Sequence, residues 1–599
     1  MIANQSMDTR TLSDSTLATH LLDELADFVR REQAHQCEAF ERLWAKPEAD
    51  RVLEGRCIVG LEVAGPVGDG IWRLRCAEND ACFREGDLVR VHQGNPRNPL
   101  LDAVIVTAED TTVDLKPWSK ASLKALQPGL RGLVIDPSWL DLTKMYLDAL
   151  EAVEKSERGR ERVLPLLAGT RRPKLDSVEM DAAMAAARED GFDEAQAEAV
   201  ASACASDSCW LVHGPPGTGK TRVLARIATR LVAQGERILV TSFTHRAINN
   251  LLEAIAAMGV ERRLIARIAP AQDPRLGLPQ FESFHGCPLD GCDSGYVVGA
   301  TPFALRTHRL RDVDFDRVIV DEASQVTLPL AAMAMLAADR YIFAGDDKQL
   351  PPVSLTLDPQ EAVSMSIFGR LTGNGFDTLL PVTRRLNAEL CRWPSETFYL
   401  SRLKPHPMAA ARRFPGTVPG SGFADALGPE PGLVWMAVPH EGARTCAMEE
   451  VTLLADMIAE LVRGGVPLRE IGVVVPFRRQ ARLLRLNLRG KLGPHEAIGE
   501  LVADTVERMQ GQEREVVFLS FATSAPDFAR SIQRFLFQPQ RLNVAVTRAR
   551  TKVVILASPA LADYARRESD DPGAATFVSL LERARRIDVD LPGAATPEC

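Results

Sequence analysis

The chain runs to 599 residues, 46% hydrophobic and 25% charged, which is too long for one hydrophobic core and suits roughly three to five folded units. A net charge of −9 excludes a simple basic coat for nucleic acid and leaves only a local groove for strand binding. No apolar run is long enough to span a bilayer, and residues 1–10 lack the apolar stretch of a secretory signal, so no membrane partner is expected and a reducing cytoplasm is the expected setting.

In residues 17–44 the apolar positions recur at helical spacing among many charges. This predicts an amphipathic helix, a stalk or a partner-binding arm, within an N-terminal region 1–50. Residues 51–118 change to short alternating segments, CIVGLEV, IWRLRC, DLVRVHQ, DAVIVTAE and TTVDLKP, divided by Gly, Pro, Asn and Asp, the pattern of a small β-barrel or sandwich. Helical spacing returns in residues 119–180, which read as a helical stalk and a linker through the basic stretch 170–174. Short buried strands then alternate with helices: WLVH, ILVTSF, RVIVD and YIFAG, followed by LVWMAV, IGVVVP, EVVFLSF and KVVILA. Such runs indicate parallel sheets covered on both faces. The expected α/β domains occupy 181–372 and 373–569, meeting near 371–380, and 570–599 reads as a loose tail.

Of the eleven cysteines, Cys37, Cys57, Cys76, Cys82, Cys204, Cys209, Cys391, Cys446 and Cys599 show no regular metal-ligand spacing and read mostly as small core residues. His285, Cys287 and Cys292 cluster around a turn, but three candidate ligands without a clear fourth argue against zinc.

The strongest local signal is Gly214, Pro215, Pro216, Gly217, Thr218, Gly219, Lys220 and Thr221, a phosphate-binding loop with every required position filled. It follows the strand CWLVH and precedes a helical pattern, the context the loop needs. The glycines turn backbone N–H groups toward phosphates, Lys220 brings charge to the β and γ oxygens, and Thr221 places a hydroxyl on Mg²⁺. Downstream, RVIVD ends in Asp321 and Glu322. Asp321 suits a water-mediated hold on Mg²⁺, and Glu322 suits the base that orients and deprotonates the attacking water. After YIFAG, a turn aims Gln349 of GDDKQLPP at the γ-phosphate. A loop and two acids in this order point to hydrolysis rather than passive nucleotide binding.

These blocks, together with TSFTHRAINNLL, VVGATP, DEASQ, the stretch 383–399, IGVVVPFRRQ, MQGQE and RLNVAVTRAR, resemble in order the superfamily 1 helicases, specifically the Upf-like branch that includes the nonsense-mediated-decay and immunoglobulin-mu-binding helicases. The resemblance covers residues 191–558. It implies two RecA-like motor domains sharing one ATP site, preceded by a barrel between stalk helices, and movement 5′ to 3′ along single-stranded DNA or RNA. By the same resemblance Gln196 reads the adenine edge, Glu513 contacts ribose, and Arg385 and Arg548 reach the site from the second domain. Arg384 stands where the family stacks a tyrosine on adenine, and Asn387 where it has a histidine; a guanidinium plane can also stack on a base. Thr244, Thr301 and the Pro476–Phe477 turn match nucleic-acid contacts, which would grip phosphates without reading sequence.

Two other readings share much of this sequence. A remodelling ATPase that strips proteins without separating duplexes has the same motor. An inactive scaffold needs no water-activating acid, and the intact set Lys220, Asp321, Glu322, Gln349, Arg385 and Arg548 argues against it. Neither an acid-rich nuclease motif nor a four-cysteine cluster is present in the sequence, so a nuclease or regulatory protein would be a separate partner.

Overall fold

The computed structural model describes residues 14–590 apart from 69, 78, 80, 82, 84–85, 110, 119–125, 271–272, 274, 355–364, 415–421, 431 and 494–499. Cys82 and Cys599 lie outside the described residues, as does the end of the expected tail.

The N-terminal helix spans Asp14–Ala45. Its Leu22, Leu25, Phe28 and Val29, at the three- and four-residue spacing of one face, are buried in one core with Leu150 and Val153 of the helix Thr143–Lys155. That core continues into the first α/β domain. The two helices therefore brace the motor and carry the module between them.

This module is a closed barrel of β1 (Ile58–Gly68), β2 (Ile71–Arg75), β3 (Leu88–His92), β4 (Leu101–Ala108), β5 (Thr112–Pro117) and β6 (Leu133–Pro137), in the order β1-β2-β5-β4-β3-β6. Inward residues such as Leu61, Leu74, Val89, Ile105, Leu115 and Ile135 fill it. The expected boundary at 118 is too early, because β6 pairs with both β1 and β3 and so covers the two open edges. Residues 119–180 are accordingly not all stalk and linker. Arg51, on the short helix Glu48–Leu53, forks onto both Asp136 oxygens of β6 at 2.8 and 2.9 Å, and His92 Nε2 lies 2.9 Å from the same carboxylate.

The first α/β sheet contains β7 (Cys209–His213), β8 (Arg237–Thr241), β9 (Ile265–Ile268), β10 (Gln280–Phe281), β11 (Tyr296–Gly299), β12 (Arg317–Val320), β13 (Arg340–Gly345) and β14 (Asp377–Leu379). Their order is β10-β9-β11-β8-β12-β13-β7-β14, with every pairing parallel. Here the expected division at 372 is corrected: β14 pairs with β7 and shields the strand that leads into the phosphate loop. The chain crosses to the second domain only after it.

A small parallel pair, β15 (Val382–Thr383) and β16 (Lys404–Pro405), follows. The second sheet contains β17 (Gly432–Ala437), β18 (Ile471–Val474), β19 (Val502–Asp504), β20 (Arg514–Ser520), β21 (Ala549–Ala557) and β22 (Arg585–Asp588), all parallel in the order β19-β18-β20-β21-β17-β22. Leu433, Trp435 and Ala437 enter one core while Val434, Met436 and Val438 enter the other. Both faces are thus covered, the RecA-like arrangement. The expected loose tail from 570 is also corrected: the helix Pro572–Arg583 buries Phe577, Leu580 and Leu581, and β22 closes the sheet against β17. Among the described residues no helix is long and apolar enough to cross a membrane.

Candidate nucleotide site between the motor domains

The phosphate loop leaves β7 and enters the helix Lys220–Ala233. Gly217 and Gly219 have φ of +73° and +87°, a region that only glycine adopts freely. At Gly217 the constraint is doubled, since a Cβ there would collide with the side chains of Thr383 and Arg385. These residues come from the start of the second domain and clamp the loop from outside. Thr383 Oγ1 donates to the Pro216 carbonyl at 2.8 Å, and the Arg384 amide donates to the Gly217 carbonyl at 2.8 Å. Thr218 closes the turn by donating to the Pro215 carbonyl, and Lys220 Nζ reaches back to the Gly214 carbonyl at 3.2 Å. Thr221 lies half-buried in the first helical turn.

Gln196 is 1% exposed and sits beneath this loop. It completes a capping box with Asp193 at the start of the helix Glu194–Ala205, and its Nε2 donates to the Thr218 carbonyl at 2.9 Å. Asp193 also pairs with Arg384 at 3.4 Å. Gln196 and Arg384, both expected near the base, thus stand together around Asp193, with half of the Gln196 amide already holding the loop.

At the end of β12, Asp321 is 5% exposed and Glu322 takes φ +53°, a strained conformation for a residue with a side chain and common at functional turns. Burial and then the Glu322 charge raise the Asp321 carboxyl above its ordinary value, with Lys220 opposing. A buried acid beside a half-buried one, with one lysine opposite, is a fit for a divalent cation, which would supply the missing positive charge. Glu322 Oε2 accepts from Gln510 of the second domain at 3.1 Å.

Gln349 lies between the domains. Its Nε2 donates to Asp346 at 2.7 Å, and its Oε1 accepts from Arg548 Nη2 at 3.2 Å. Burial, and then the neighbouring Arg385, lower the Arg548 guanidinium to about 9. Tyr399 of the second domain donates to Asp346 at 2.7 Å and accepts from Asn543, which also donates to the Lys348 carbonyl. Arg385 donates to Glu513 at 2.8 Å and to the Thr547 carbonyl at 3.0 Å. Partial desolvation would raise the Glu513 carboxyl, but Arg385, Arg550 and Arg412 hold it below its ordinary value. Two residues expected to act on different parts of the nucleotide are therefore paired with each other.

Thr244 and Thr301 follow the adjacent strands β8 and β11 and open on one sheet edge. The Thr244 hydroxyl caps the helix His245–Ala257 by accepting from the Ala247 amide at 3.2 Å. Thr301 begins the turn Pro302–Arg306 without a side-chain cap bond. Pro476 leads into Phe477, which packs at a tilt against Phe528 and Phe535, with ring centroids at 5.8 and 6.1 Å. His285 faces Asp290 at 3.4 Å, Cys287 is buried and Cys292 meets Ser294. Among the described residues, the ligand atoms that do converge, within 4.8 Å, belong to His213, Asp346 and Asp347.

Sequence reading assigned no role to Asp346, Gln510, Asn543 or Tyr399. All four lie inside motif blocks already quoted, but their neutral or commonplace side chains carry no charge pattern that marks a partner across a cleft.

Family models described as "AAA domain" match residues 196–355 and 363–560. The DNA-binding protein SMUBP-2 of Rattus norvegicus is 29% identical over 434 residues, covering 61% of this chain and 42% of that protein. The DNA replication ATP-dependent helicase/nuclease DNA2 of Homo sapiens is 25% identical over 401 residues, covering 61% of this chain and 37% of that protein. The chain thus spans less than half the length of these two relatives. Among solved structures, an arterivirus nonstructural protein 10 (helicase) with DNA is 14% identical and covers 86% of this chain and 81% of its own, with a TM-score of 0.39. With nearly all of both motor sheets falling inside matched AAA domains, and with SMUBP-2 and DNA2 among its relatives, the chain belongs to the Upf-like branch of the superfamily 1 helicases.

Proposed function

We propose that this chain is an ATP-driven helicase or translocase that moves along single-stranded nucleic acid, 5′ to 3′. The observation that supports it most is the contact of Arg548 with Gln349, which completes from the second domain a site whose phosphate loop and acids belong to the first. Lys220 and the loop amides hold the β and γ phosphates, Glu322 takes the proton of the attacking water, and Gln349 senses the γ-phosphate. Arg548, with Arg385 once released from Glu513, stabilises charge developing in the transition state. Thr221 and, through water, Asp321 would hold Mg²⁺, which would supply positive charge against the phosphates. Arg384 stacks on the base and Gln196 reads its edge with its remaining N–H and lone pair.

Hydrolysis then requires the cleft to close, and opening follows loss of the γ-phosphate. Grips on the strand at Thr244, Thr301 and Phe477 alternate between the two domains as it does so. The test is phosphate release from ATP alone, with single-stranded DNA and with single-stranded RNA. Stimulation by a strand, lost in Glu322→Gln, supports the motor; hydrolysis that no strand changes refutes it. Strand separation on a forked duplex then distinguishes a helicase from a remodelling ATPase.

A further inference from the structure

Strands β8 and β12 are neighbours, with Thr241 opposite Val320, so the segments that follow them leave the sheet side by side. After β12 comes Glu322; after β8 come Thr244, His245 and Arg246, all exposed at the start of the helix His245–Ala257. The second domain meets this edge through Gln510, bonded to Glu322. Two residues before Gln510, on the helix Val506–Met509, stands the exposed Arg508.

Neither the Arg246 nor the Arg508 side chain has a hydrogen bond or ion pair among the described residues. The charges that bear on Arg246 are those of Arg275 and Arg508, both like its own; after partial burial they push its guanidinium below its ordinary value. Arg275 is already paired with Asp273. Arg514 adds a further positive charge near Arg246, offset in part by Glu470 and Glu513; its Nη groups donate to the Glu513 carbonyl and Gln512, and its buried Nε has no partner. Arg246 and Arg508, cations from two domains with no acid paired to either among the described residues, repel unless an anion lies between them. In a chain of net charge −9, this concentration is local.

We propose that Arg246 and Arg508, from opposite motor domains, clamp one phosphodiester of the single strand, and that Arg508 signals its presence to Glu322 through Gln510. This rests on the motor reading and deepens it. The strand becomes part of the cleft: with a phosphate between the arginines the repulsion turns to attraction, the domains close, and the Gln510 amide sets the Glu322 carboxylate. Arg508 is thus a positioning residue for hydrolysis, while Arg246 acts on the strand.

The experiment uses the full chain with Arg246→Gln, Arg246→Lys, Arg508→Gln and the double variant Arg246→Gln/Arg508→Gln. Arg263→Gln, at an exposed arginine paired with Glu261, controls for loss of a charge. Affinity for a fluorescein-labelled single-stranded oligonucleotide is measured by anisotropy against salt concentration. Each Gln variant is expected to bind about tenfold more weakly, with the slope of log affinity against log salt reduced by about 0.7, one single-strand phosphate. The double variant should lose that one contact, not two; Arg246→Lys should recover affinity, and Arg263→Gln should match wild type. At saturating strand, turnover should still fall short in Arg508→Gln.

Slopes equal to wild type overturn the clamp, as does a double variant that loses two phosphates' worth of slope. Loss of affinity for a fluorescent ATP analogue with strand binding intact would assign the pair to the nucleotide instead, and also overturn it. Full turnover in Arg508→Gln at saturating strand overturns the link to Glu322. A wild-type chain that binds no strand fails the motor reading itself, which separates that outcome from failure of the clamp alone.

Discussion

The barrel and the motor cleft both bury charge, and they treat it in opposite ways. Under the barrel, burial would weaken the Arg51 cation, but two hydrogen bonds and the charge of Asp136 hold it above its ordinary value. In the cleft, Arg548 is buried with a neutral glutamine and two carbonyls for company and is lowered to about 9, while Asp321 is raised beside Glu322. A compensated buried pair anchors parts of a fold. Charges buried without compensation, and facing each other across a cleft, are held in reserve for a ligand that brings the missing opposite charge.

The comparison can be tested by breaking each side. The largest effect is expected for Arg548→Ala, with kcat for strand-stimulated ATP hydrolysis falling about 10⁴-fold in a steady-state assay, as for other arginines acting across a cleft. A drop below tenfold would remove Arg548 from the transition state. Arg51→Met should leave Asp136 buried without its permanent cation, with only His92 and Cys57 beside it, costing about 3–5 kcal/mol in urea unfolding of the barrel transition. ATP turnover by the folded fraction should change little. Replacing both partners, as Arg51→Met/Asp136→Leu, should recover much of that loss; no recovery would mean that packing, not charge, sets the cost.

Tyr399→Phe removes one hydroxyl from the network joining Asp346 to Asn543. Turnover should fall about fivefold while stability falls by only about 1 kcal/mol, a split visible by comparing kcat with the melting temperature. The smallest effect sharpens the rule. Lys552 of β21 is also buried, and burial followed by Arg585 lowers it to about 8, yet its ammonium donates to the Glu430 carbonyl of its own domain and not to a group across the cleft. Because its folded value is below its unfolded one, stability rises with pH from about 8 and levels off near the ordinary lysine value. Lys552→Met should therefore stabilise the protein at neutral pH by up to about 2 kcal/mol, with the gain vanishing above that window. A gain independent of pH would show that the charge is not the cause. An uncompensated charge thus marks a site only where it faces a cleft.

Much of the molecule was legible from sequence for a local reason. The phosphate loop needs glycines at Gly217 and Gly219 within a few residues of Lys220, a strand buried on both faces must be apolar at every position, and Asp321 and Glu322 sit together at one strand end. Period and motif capture such features because the interacting groups are near in the chain. What escaped was set by distance: β6 closing the barrel, β14 joining β7, and β22 converting an expected tail into a sheet edge are all short strands whose only reason to form is a partner far away in sequence.

By itself, then, the sequence determined the two α/β motors, their order and the glycine-rich turn from strand to helix that carries Lys220, since these follow from backbone conformation and patterned burial. Tertiary structure alone decided that Arg385 rests on Glu513, that Tyr399 and Asn543 meet at Asp346, and that Gln510 reaches Glu322. The first is an ion pair and the others are hydrogen bonds with at least one uncharged partner, all between separate elements. Their energies are small beside the burial that folds each domain, so nothing in the local pattern announces them, and only the meeting of the two sheets brings them within reach.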